Sequence, residues 1–233
     1  MSSYNLSSFN SKGKISQIEY ASKAVLQSNT VISVKGNNLL LTLTLDISNK
    51  KNIFTQIEPK VFIINKYIIL SASGLKSDII IVISKARSIC RDFQHKYGHQ
   101  ISTASLSKDL SSFLQNFTSS SGFRPLGVSL NILGIDKDGP ELFEINTSGE
   151  INDVNFSSIG KSSKDIKEYI RARWCSNLET KTLLKLVINC LNYYNLVTSK
   201  LVEIVIATIN TQPKIKIFSK EDLSILNNTQ ISN

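Results

Sequence analysis

The sequence is poor in the residues that build metal and redox sites. Its 233 residues include two histidines, three cysteines, one methionine and one tryptophan. His95 and His99 stand four residues apart with no further ligand close in sequence, which disfavours a metal site. The cysteines form no CxxC pair and fall in segments with helical apolar spacing: Cys90, Cys175 and Cys190. We therefore expect buried free thiols, no metal and no cofactor.

Long apolar segments are missing as well. No stretch approaches the roughly 18 uncharged apolar residues that a membrane span requires. The first residues lack the basic start and the apolar core of a secretory signal. Neither a P-loop nor a GxGxxG phosphate-binding loop is present. These absences predict a soluble intracellular protein.

Positive charge is what the sequence has in excess. The formal net charge is +9, and 19% of the residues are charged against 41% that are hydrophobic. A clustered basic face would attract nucleic acid, but here the basic residues are dispersed. The densest groups are Lys50-Lys51, Lys85 with Arg87 and Arg91, and Arg171 with Arg173. A solvated or subunit-facing surface is favoured, and a basic nucleic-acid-associated protein is kept as an alternative.

Apolar residues at three- and four-residue steps predict the helices. The clearest ones are Lys14–Leu26, Leu75–Lys96 and the serine-rich segment 102–119. Gly13 is predicted to form the turn before the first of them. Ser162 and Asp165 make a capping-box pattern that predicts the start of another helix. Asn177 is predicted to cap the next one.

Strands are predicted where β-branched and aliphatic residues lie between turn signals. They are Thr30–Asp46 with a turn at 36–38, Val61–Ile64, Tyr67–Ala72, Val128–Leu133, Glu141–Ile145, Asn155–Ser158, Val202–Ile209 and Lys214–Phe218. Glu221–Leu226 is expected to add a helical turn. Runs of strands between pairs of helices predict an α+β arrangement, in which helical layers flank two packed sheets. The absence of an interior linker predicts one domain.

The N-terminal segment 9–25 carries the most specific motif. It reads Phe-Asn-Ser-Lys-Gly and continues into a helix with Gln-Ile-Glu-Tyr-Ala at 17–21. The segment resembles the signature of proteasome alpha-ring subunits, a Phe-Ser-Pro-x-Gly turn before Gln-(Val/Ile)-Glu-Tyr-Ala. Further phrases follow in family order, at 73–78, 122–130, 139–143, 148–149 and 159–161. The phrases at 6–9 and 122–130 are most similar to alpha type-2 members.

The resemblance implies a fold. It is a four-layer alpha-beta-beta-alpha sandwich of the N-terminal nucleophile hydrolase type, with an extra N-terminal helix. One proteasome alpha-type domain would span 1–233. Its parts would be a gate segment at 1–13, the helix at 14–26, the sandwich at 30–218 and a C-terminal tail at 219–233.

The resemblance also implies that the chain has no catalytic residue. Active members of this fold expose a threonine at a new N-terminus, whose own amine serves as the base for its hydroxyl. Such a site needs a prosegment ending in Gly-Thr, and the sequence contains no Gly-Thr pair. Alignment with the catalytic beta subunits puts Asn29 at the nucleophile's place and Leu45 where a carboxylate would support the catalytic lysine. A self-processing hydrolase is kept as the enzymatic alternative.

The role implied instead is control of access to a proteolytic chamber. In the family, seven alpha subunits form a ring that caps the beta rings, and their N-terminal segments close the axial pore until an activator rearranges them. The residues before Gly13 would belong to this gate, and Tyr20 matches the helix tyrosine of the open-gate cluster. The helix would contact a neighbouring subunit through Ile15, Gln17, Ile18, Glu19 and Ala21.

The gate segment departs from the family pattern at three positions. Counting back from Phe9, Ser2 and Ser3 stand where the family has tyrosine and aspartate, and Ser11 replaces the turn proline. Loss of the proline removes a fixed φ, and loss of the tyrosine removes a stacking and hydrogen-bonding partner. Tyr4 is the nearest replacement, through a shift in register. We expect the open-gate cluster to be incomplete.

A lysine just before the third strand marks the activator pocket in the family. Lys60 occupies this place, and an ammonium group suits a single carboxylate because it is a compact charge with three donors. The resemblance thus implies that Lys60 binds the C-terminal carboxylate of an activator or regulatory particle. The implied partners are other alpha subunits, beta subunits and such activators. The implied process is ubiquitin-dependent and other protein degradation in the cytoplasm and nucleus.

Overall fold

The chain folds into blocks of strands separated by pairs of helices. The computed structural model describes residues 9–37, 39–45, 59–120, 122–136, 139–175, 180–193, 201–208 and 214–219. In these ranges the helices are α1 (Ser16–Leu26), α2 (Lys76–Tyr97), α3 (Thr103–Ser119), α4 (Ser163–Arg171) and α5 (Thr180–Tyr193). The strands are β1 (Val31–Lys35), β2 (Leu39–Leu45), β3 (Val61–Ile63), β4 (Ile68–Gly74), β5 (Val128–Asp136), β6 (Gly139–Ile145), β7 (Ile151–Asp153), β8 (Phe156–Ile159), β9 (Leu201–Thr208) and β10 (Lys214–Ser219).

Two antiparallel five-stranded sheets form the centre of the fold. The first has the order β10-β9-β2-β1-β8, and the second has the order β3-β4-β5-β6-β7. The first sheet therefore joins the start of the chain to its last strands, since β2 pairs with β9. In the second sheet, neighbouring strands are consecutive in sequence. The helices α2 and α3 lie in the connection between β4 and β5.

Helices cover each sheet through apolar side chains. The second sheet packs against α2 and α3 through a core that includes Leu70, Val82, Ala86, Leu106, Leu110, Leu130 and Ile132. The first sheet packs against α4 and α5 through a core that includes Ile32, Leu41, Ile166, Ile170, Leu183 and Val187. A smaller apolar cluster holds residues of both sheets, namely Leu40, Val61, Ile69, Leu133 and Leu142. The layers are thus helix, sheet, sheet and helix, as predicted.

The two sheets also share a buried hydrogen-bond network. Asn131 on β5 donates from Nδ2 to Ser33 Oγ on β1 at 3.0 Å, and Ser157 Oγ on β8 lies 2.8 Å from Asn131 Oδ1. Ser157 Oγ also lies 2.7 Å from Glu144 Oε2. The Lys167 ammonium on α4 donates to both Glu144 carboxylate oxygens at 2.6 and 2.7 Å. Directional bonds therefore join strands of both sheets and one covering helix.

Most of the predicted elements are confirmed, with small shifts at their ends. The serine-rich segment predicted as a helix is α3, and Ser102 caps it by accepting a hydrogen bond from the Ser105 amide at 3.2 Å. The short strand β7 was not predicted. The expected cap at Asn177 and the expected helical turn at Glu221–Leu226 lie outside the described residues.

The predicted capping box at Ser162 is wrong. Ser162 precedes α4 with φ 56°, in the left-handed region, and its side chain makes no capping hydrogen bond. A capping side chain needs the extended backbone from which its oxygen reaches the amides of the first turn. In this turn the Ser163 amide donates instead to the Gly160 carbonyl at 3.3 Å.

Candidate functional site

The N-terminal turn forms without the family's proline. Asn10 closes it: its backbone carbonyl accepts from the Gly13 amide at 2.9 Å, and its side-chain Oδ1 accepts from the Lys12 and Lys14 amides at 3.0 and 2.9 Å. An asparagine side chain that bonds to nearby amides mimics a backbone turn. Gly13 has φ 69°, which favours glycine. We did not predict this role of Asn10 from the sequence, although an asparagine just before a predicted glycine turn was an available signal.

The turn brings the preceding residue back beside the start of α1. Phe9 and Ile15 form an isolated antiparallel bridge on either side of it. The Phe9 side chain is 74% exposed and Ser11 is exposed as well. Tyr20, also predicted as a gate residue, is 59% exposed on α1, with the Lys23 ammonium 5.7 Å from its ring centroid. Ser2, Ser3 and Tyr4 lie outside the described residues.

The residues predicted to contact a neighbouring subunit divide into two groups. Ile15, Gln17, Ile18 and Glu19 are half-buried, so part of each side chain faces outward. Glu19 forms an ion pair with Lys14 at 3.2 Å. Ala21 is buried and faces inward, because α1 packs against β4 and β5.

The inner face of α1 buries small side chains. Its buried residues are Ala21 and Val25. A hydrogen bond of 2.7 Å between Ser22 Oγ and Thr147 Oγ1 adds a polar attachment. This face contrasts with α2 and α3, which bury large aliphatic side chains. The N-terminal helix is therefore held by less apolar burial than the helices of the sandwich.

Lys60 lies directly before β3, as predicted. Its side chain is only 7% exposed in the single chain, and its carbonyl accepts a hydrogen bond from the Ala72 amide on β4 at 2.9 Å. Lys66, at the other end of the β3–β4 hairpin, is exposed. Lys60 therefore stands at the edge of the second sheet with most of its side chain covered by its own chain.

The position aligned with the catalytic nucleophile lies in the short link between α1 and β1. Asn29 is half-buried there, and its carbonyl accepts a hydrogen bond from Ser73 Oγ at 2.8 Å. The preceding carbonyl, that of Ser28, accepts from the Lys161 amide at 3.1 Å. A Cβ on Gly160 would collide with the Asn29 carbonyl. Asparagine has neither a hydroxyl nor a thiol, so this position carries no nucleophile of the kind that active members of the fold expose.

The two central family phrases meet at an ion pair between a buried aspartate and an exposed arginine. Asp78 in α2 is 1% exposed, and it accepts two hydrogen bonds from Arg124 at 2.7 and 2.8 Å and one from the Gly127 amide at 2.8 Å. Burial by itself raises the pKa of Asp78. The hydrogen bonds from Arg124 and Gly127, with the charge of Arg124, outweigh that effect and hold the pKa below its ordinary value. Nearby, the Leu75 amide donates to the Gly127 carbonyl at 2.9 Å.

Two of the three cysteines are buried thiols, as predicted. Burial raises the pKa of Cys90 and of Cys190 to about 11, so both are protonated at neutral pH. The prediction is wrong for Cys175, which is exposed because it lies beyond the end of α4 rather than on a helix face. Among the described residues, no three metal-ligating side chains come together, and no helix has the length and apolarity to cross a membrane.

The fold defines the class of protein first: it is a sandwich of the N-terminal nucleophile hydrolase type with an added N-terminal helix. A family model described as "Proteasome subunit" matches residues 25–209, and the chain belongs to this family.

Curated relatives carry the comparison further. The chain is 30% identical to proteasome subunit alpha type-2 of Dictyostelium discoideum, over 78% of each chain. It is 32% identical to the alpha type-2 subunit of Caenorhabditis elegans, over 76% of each. It is 31% identical to a proteasome subunit alpha of Methanocaldococcus jannaschii, over 80% of this chain and 72% of the relative. The resemblance to alpha subunits, and to type-2 among them, is confirmed.

Proposed function

We propose that this chain is a non-catalytic structural and gating subunit of the proteasome alpha ring, in the type-2 position. The observation that carries the proposal is the state of the nucleophile position. Asn29 has neither a hydroxyl nor a thiol to act as the nucleophile, and its carbonyl accepts a hydrogen bond from Ser73 Oγ. Release of an N-terminus at this position would detach α1 from the sandwich. Proteolysis is therefore assigned to the beta subunits.

The exposed surface of α1 supports a role in ring contacts. The half-buried side chains of Ile15, Gln17, Ile18 and Glu19 remain open to a neighbouring alpha subunit. A second subunit on this surface would cover apolar side chains that a single chain leaves partly in water, which favours association. The seven-membered ring and the contact with beta subunits follow from the family of the relatives.

The orientation of the N-terminal turn supports a role for the preceding residues in the gate. The bridge between Phe9 and Ile15 turns the chain back on itself, and the exposed Phe9 ring extends into solvent. The residues before Gly13 would be this subunit's contribution to the gate. Lys60 would supply the positive charge for an activator's C-terminal carboxylate, once the neighbouring subunit completes the pocket. The site of action would be the cytoplasm and the nucleus.

Two variants in assembled core particles test this proposal. Deletion of residues 2–12 should raise peptide hydrolysis in the absence of activator, because the gate loses one of its segments. Lys60→Ala should abolish or strongly reduce activator binding through this subunit, and Lys66→Ala on the same hairpin is the matched control. Unchanged basal hydrolysis after the deletion would rule out the gate role. Equal binding by the two lysine variants would rule out the role of Lys60.

A further inference from the structure

One of the densest basic groups of the sequence is divided by the fold. Lys85 faces α3, with its ammonium 5.7 Å from the centroid of the Phe113 ring. Arg87 instead faces β3, where its guanidinium donates to the Ile63 carbonyl at 3.2 Å. Arg91 follows Arg87 by four residues, about one helical turn, and therefore extends the same side of α2. Two exposed arginines thus stand beside the β3 edge of the second sheet.

The arginines share this border with exposed apolar side chains. Ile63 is 39% exposed on β3, and Tyr67 is 52% exposed in the turn between β3 and β4. The Asn65 side chain in the same turn lies 3.9 Å from Cys90 Sγ, which places the turn beside α2. Arginine and tyrosine are enriched where proteins contact one another, because each combines a broad apolar surface with hydrogen-bond donors. The basic margin is defined as Ile63, Tyr67, Arg87 and Arg91.

The positive charge of the basic margin has no counterpart within the described part of the chain. α2 contains no acidic residue between Asp78 and Asp92. Asp92 accepts a hydrogen bond from Ser88 at 3.1 Å, and neither arginine forms an ion pair with a described residue. Burial of an unpaired guanidinium is costly. A partner that covers this margin would therefore have to bring carboxylates.

The opposite edge of the second sheet carries the opposite charge. β7 is the last strand in the order β3-β4-β5-β6-β7, and Glu150 and Asp153 are exposed beside it. No lysine or arginine occurs from 145 to 155. Glu150 accepts a hydrogen bond from Asn146 Nδ2 at 2.6 Å, and Asp153 lies 3.5 Å from Lys35 Nζ. We call Glu150 and Asp153 the acidic margin, so the sheet is basic at one edge and acidic at the other.

Opposite charges on opposite edges suit head-to-tail association. In a ring of subunits that share one fold, each interface joins one side of a subunit to the other side of the next. Complementary charge then selects the neighbour and its orientation, because contact between like charges is strongly unfavourable. Lys60 lies at the same edge as the basic margin, directly before β3, where the proposed function already requires a neighbouring subunit.

We propose that the basic margin docks on an acidic margin of the adjacent alpha subunit, formed by carboxylates at the edge of its second sheet that corresponds to β7. This inference rests on the proposed function, because it takes the chain as a member of an alpha ring. It deepens that function by adding a contact surface separate from the outward side chains of α1. It also names the chemistry that would choose the neighbour.

Crosslinking in assembled core particles tests the contact directly. Arg91→Lys keeps the positive charge and supplies an amine, which a water-soluble carbodiimide couples to a carboxylate that touches it. The amide forms with loss of water, and the carbodiimide takes up that water to become a urea. Mass spectrometry should find the Arg91→Lys peptide joined to the β6–β7 segment of an adjacent alpha subunit.

A matched lysine substitution controls for chance coupling. Arg171→Lys is suitable because Arg171 is an exposed arginine on α4, which covers the first sheet, and it forms no ion pair with a described residue. It should yield no crosslink to a β6–β7 segment. Crosslinks of Arg91→Lys only to a beta subunit or to its own chain, or none above this control, would overturn the inference.

Charge reversal measures what the contact contributes to assembly. A tagged Arg87→Glu/Arg91→Glu chain competes with the parent chain for incorporation in the same cells, and mass spectrometry of purified particles gives the ratio. The share of the variant should fall at least about tenfold, because each glutamate would face carboxylates of the neighbour. Lys164→Glu/Arg171→Glu on α4 changes the net charge equally and should keep its share within about twofold. Arg91→Glu alone, whose side chain bonds to no described residue, should act in the same direction if the double variant fails to fold.

The outcomes separate this inference from the proposed function. If the parent chain occupies the alpha ring but the reversed and control chains are incorporated equally, the docking is wrong and the proposed function stands. If the parent chain is absent from alpha rings, the proposed function fails and this inference fails with it. Loss of nucleic-acid binding in the reversed chain, with unchanged incorporation, would assign the margin to nucleic acid and overturn the inference.

Discussion

The two kinds of interior in this molecule are built from different chemistry. The layer between the second sheet and α2 and α3 is mostly apolar, with aliphatic side chains at its centre and phenylalanines at its edge. The space between the two sheets combines a small apolar cluster with a polar network that includes Ser33, Asn131 and Ser157. Apolar burial is strong but non-directional, whereas hydrogen bonds have a preferred geometry. The comparison suggests that the outer layers supply most of the stability and that the inner layer fixes how the sheets align.

The largest effect is expected in the helix–sheet layer. Leu110→Ala in α3 removes a side chain that is fully buried against the second sheet. We expect a loss of about 3 kcal/mol in the free energy of unfolding, from the lost transfer energy and the cavity left behind. Denaturant unfolding of the full chain measures it. Ile80→Ala, at an exposed position of α2, is the control and should change stability little; equal effects would contradict the comparison.

A charged pair at the border of this layer should make stability pH-dependent. The pKa of Asp78 is lowered in the folded chain, so the stabilisation is present above its ordinary pKa of 3.8 and is lost as the pH falls below that value. We expect Asp78→Asn to cost about 2 kcal/mol at neutral pH, the scale of a charge-assisted hydrogen bond. The variant should also lose less stability than the parent between about pH 5 and pH 3. Parallel acid-unfolding curves would refute this assignment.

A smaller loss is expected between the sheets. Asn131→Ala removes the amide that joins Ser33 to Ser157, but each serine keeps another partner, Thr42 or Glu144. We expect a cost of about 1 kcal/mol. The clearer change should be in amide hydrogen exchange. Exchange in β1 and β5 should become faster than the loss of overall stability accounts for, because the alignment of the two sheets loses a directional constraint. Exchange that rises uniformly across the chain would argue against a special role for the network.

The smallest effect is expected for Ser158→Ala. This variant sharpens the comparison because it removes a polar group that has no hydrogen-bond partner among the described residues. Its hydroxyl is buried on β8 without a hydrogen-bond partner there. Replacement by alanine removes an unsatisfied donor, so the free energy of unfolding should stay constant or rise by up to about 1 kcal/mol. Thermal unfolding of the variant and the parent measures this difference, and replacement of a residue in the Asn131 network should lower the stability instead. A clear destabilisation would mean that the Ser158 hydroxyl is hydrogen-bonded within the folded chain and would contradict this prediction.

The sequence predicted the elements well because their apolar periodicity is local. The serine-rich α3 is an example: its leucine and phenylalanine spacing outweighed its composition. The absence of a Gly-Thr pair was also visible in the sequence, and the alignment of Asn29 with the nucleophile stays a prediction. The hydrogen bond from Ser73 to the Asn29 carbonyl and the Asn131 network could not be predicted, because their partners come from distant segments, and serine and asparagine are also common in turns.

The N-terminal turn and Lys60 show the same division between local and distant information. The replacement of the turn proline by Ser11 was visible, but the compensation by Asn10 depends on hydrogen bonds that only the folded turn displays. Lys60 was placed correctly before β3, yet its burial arises from contacts of the hairpin in three dimensions. The same reasoning explains the error at Ser162. The sequence pattern of a capping box was present there, but the backbone does not adopt the extended conformation that a capping serine needs.

The central claim is that this chain occupies an outer ring of a proteasome core particle and remains unprocessed. The most direct test is electron microscopy of particles purified through a C-terminal tag on this chain, with subunits identified by mass spectrometry. The account predicts a stacked-ring barrel with this chain, at its full intact mass, in an outer ring next to other alpha subunits. A monomer, a nucleic-acid complex, or a chain cleaved to expose a new N-terminal nucleophile would contradict it.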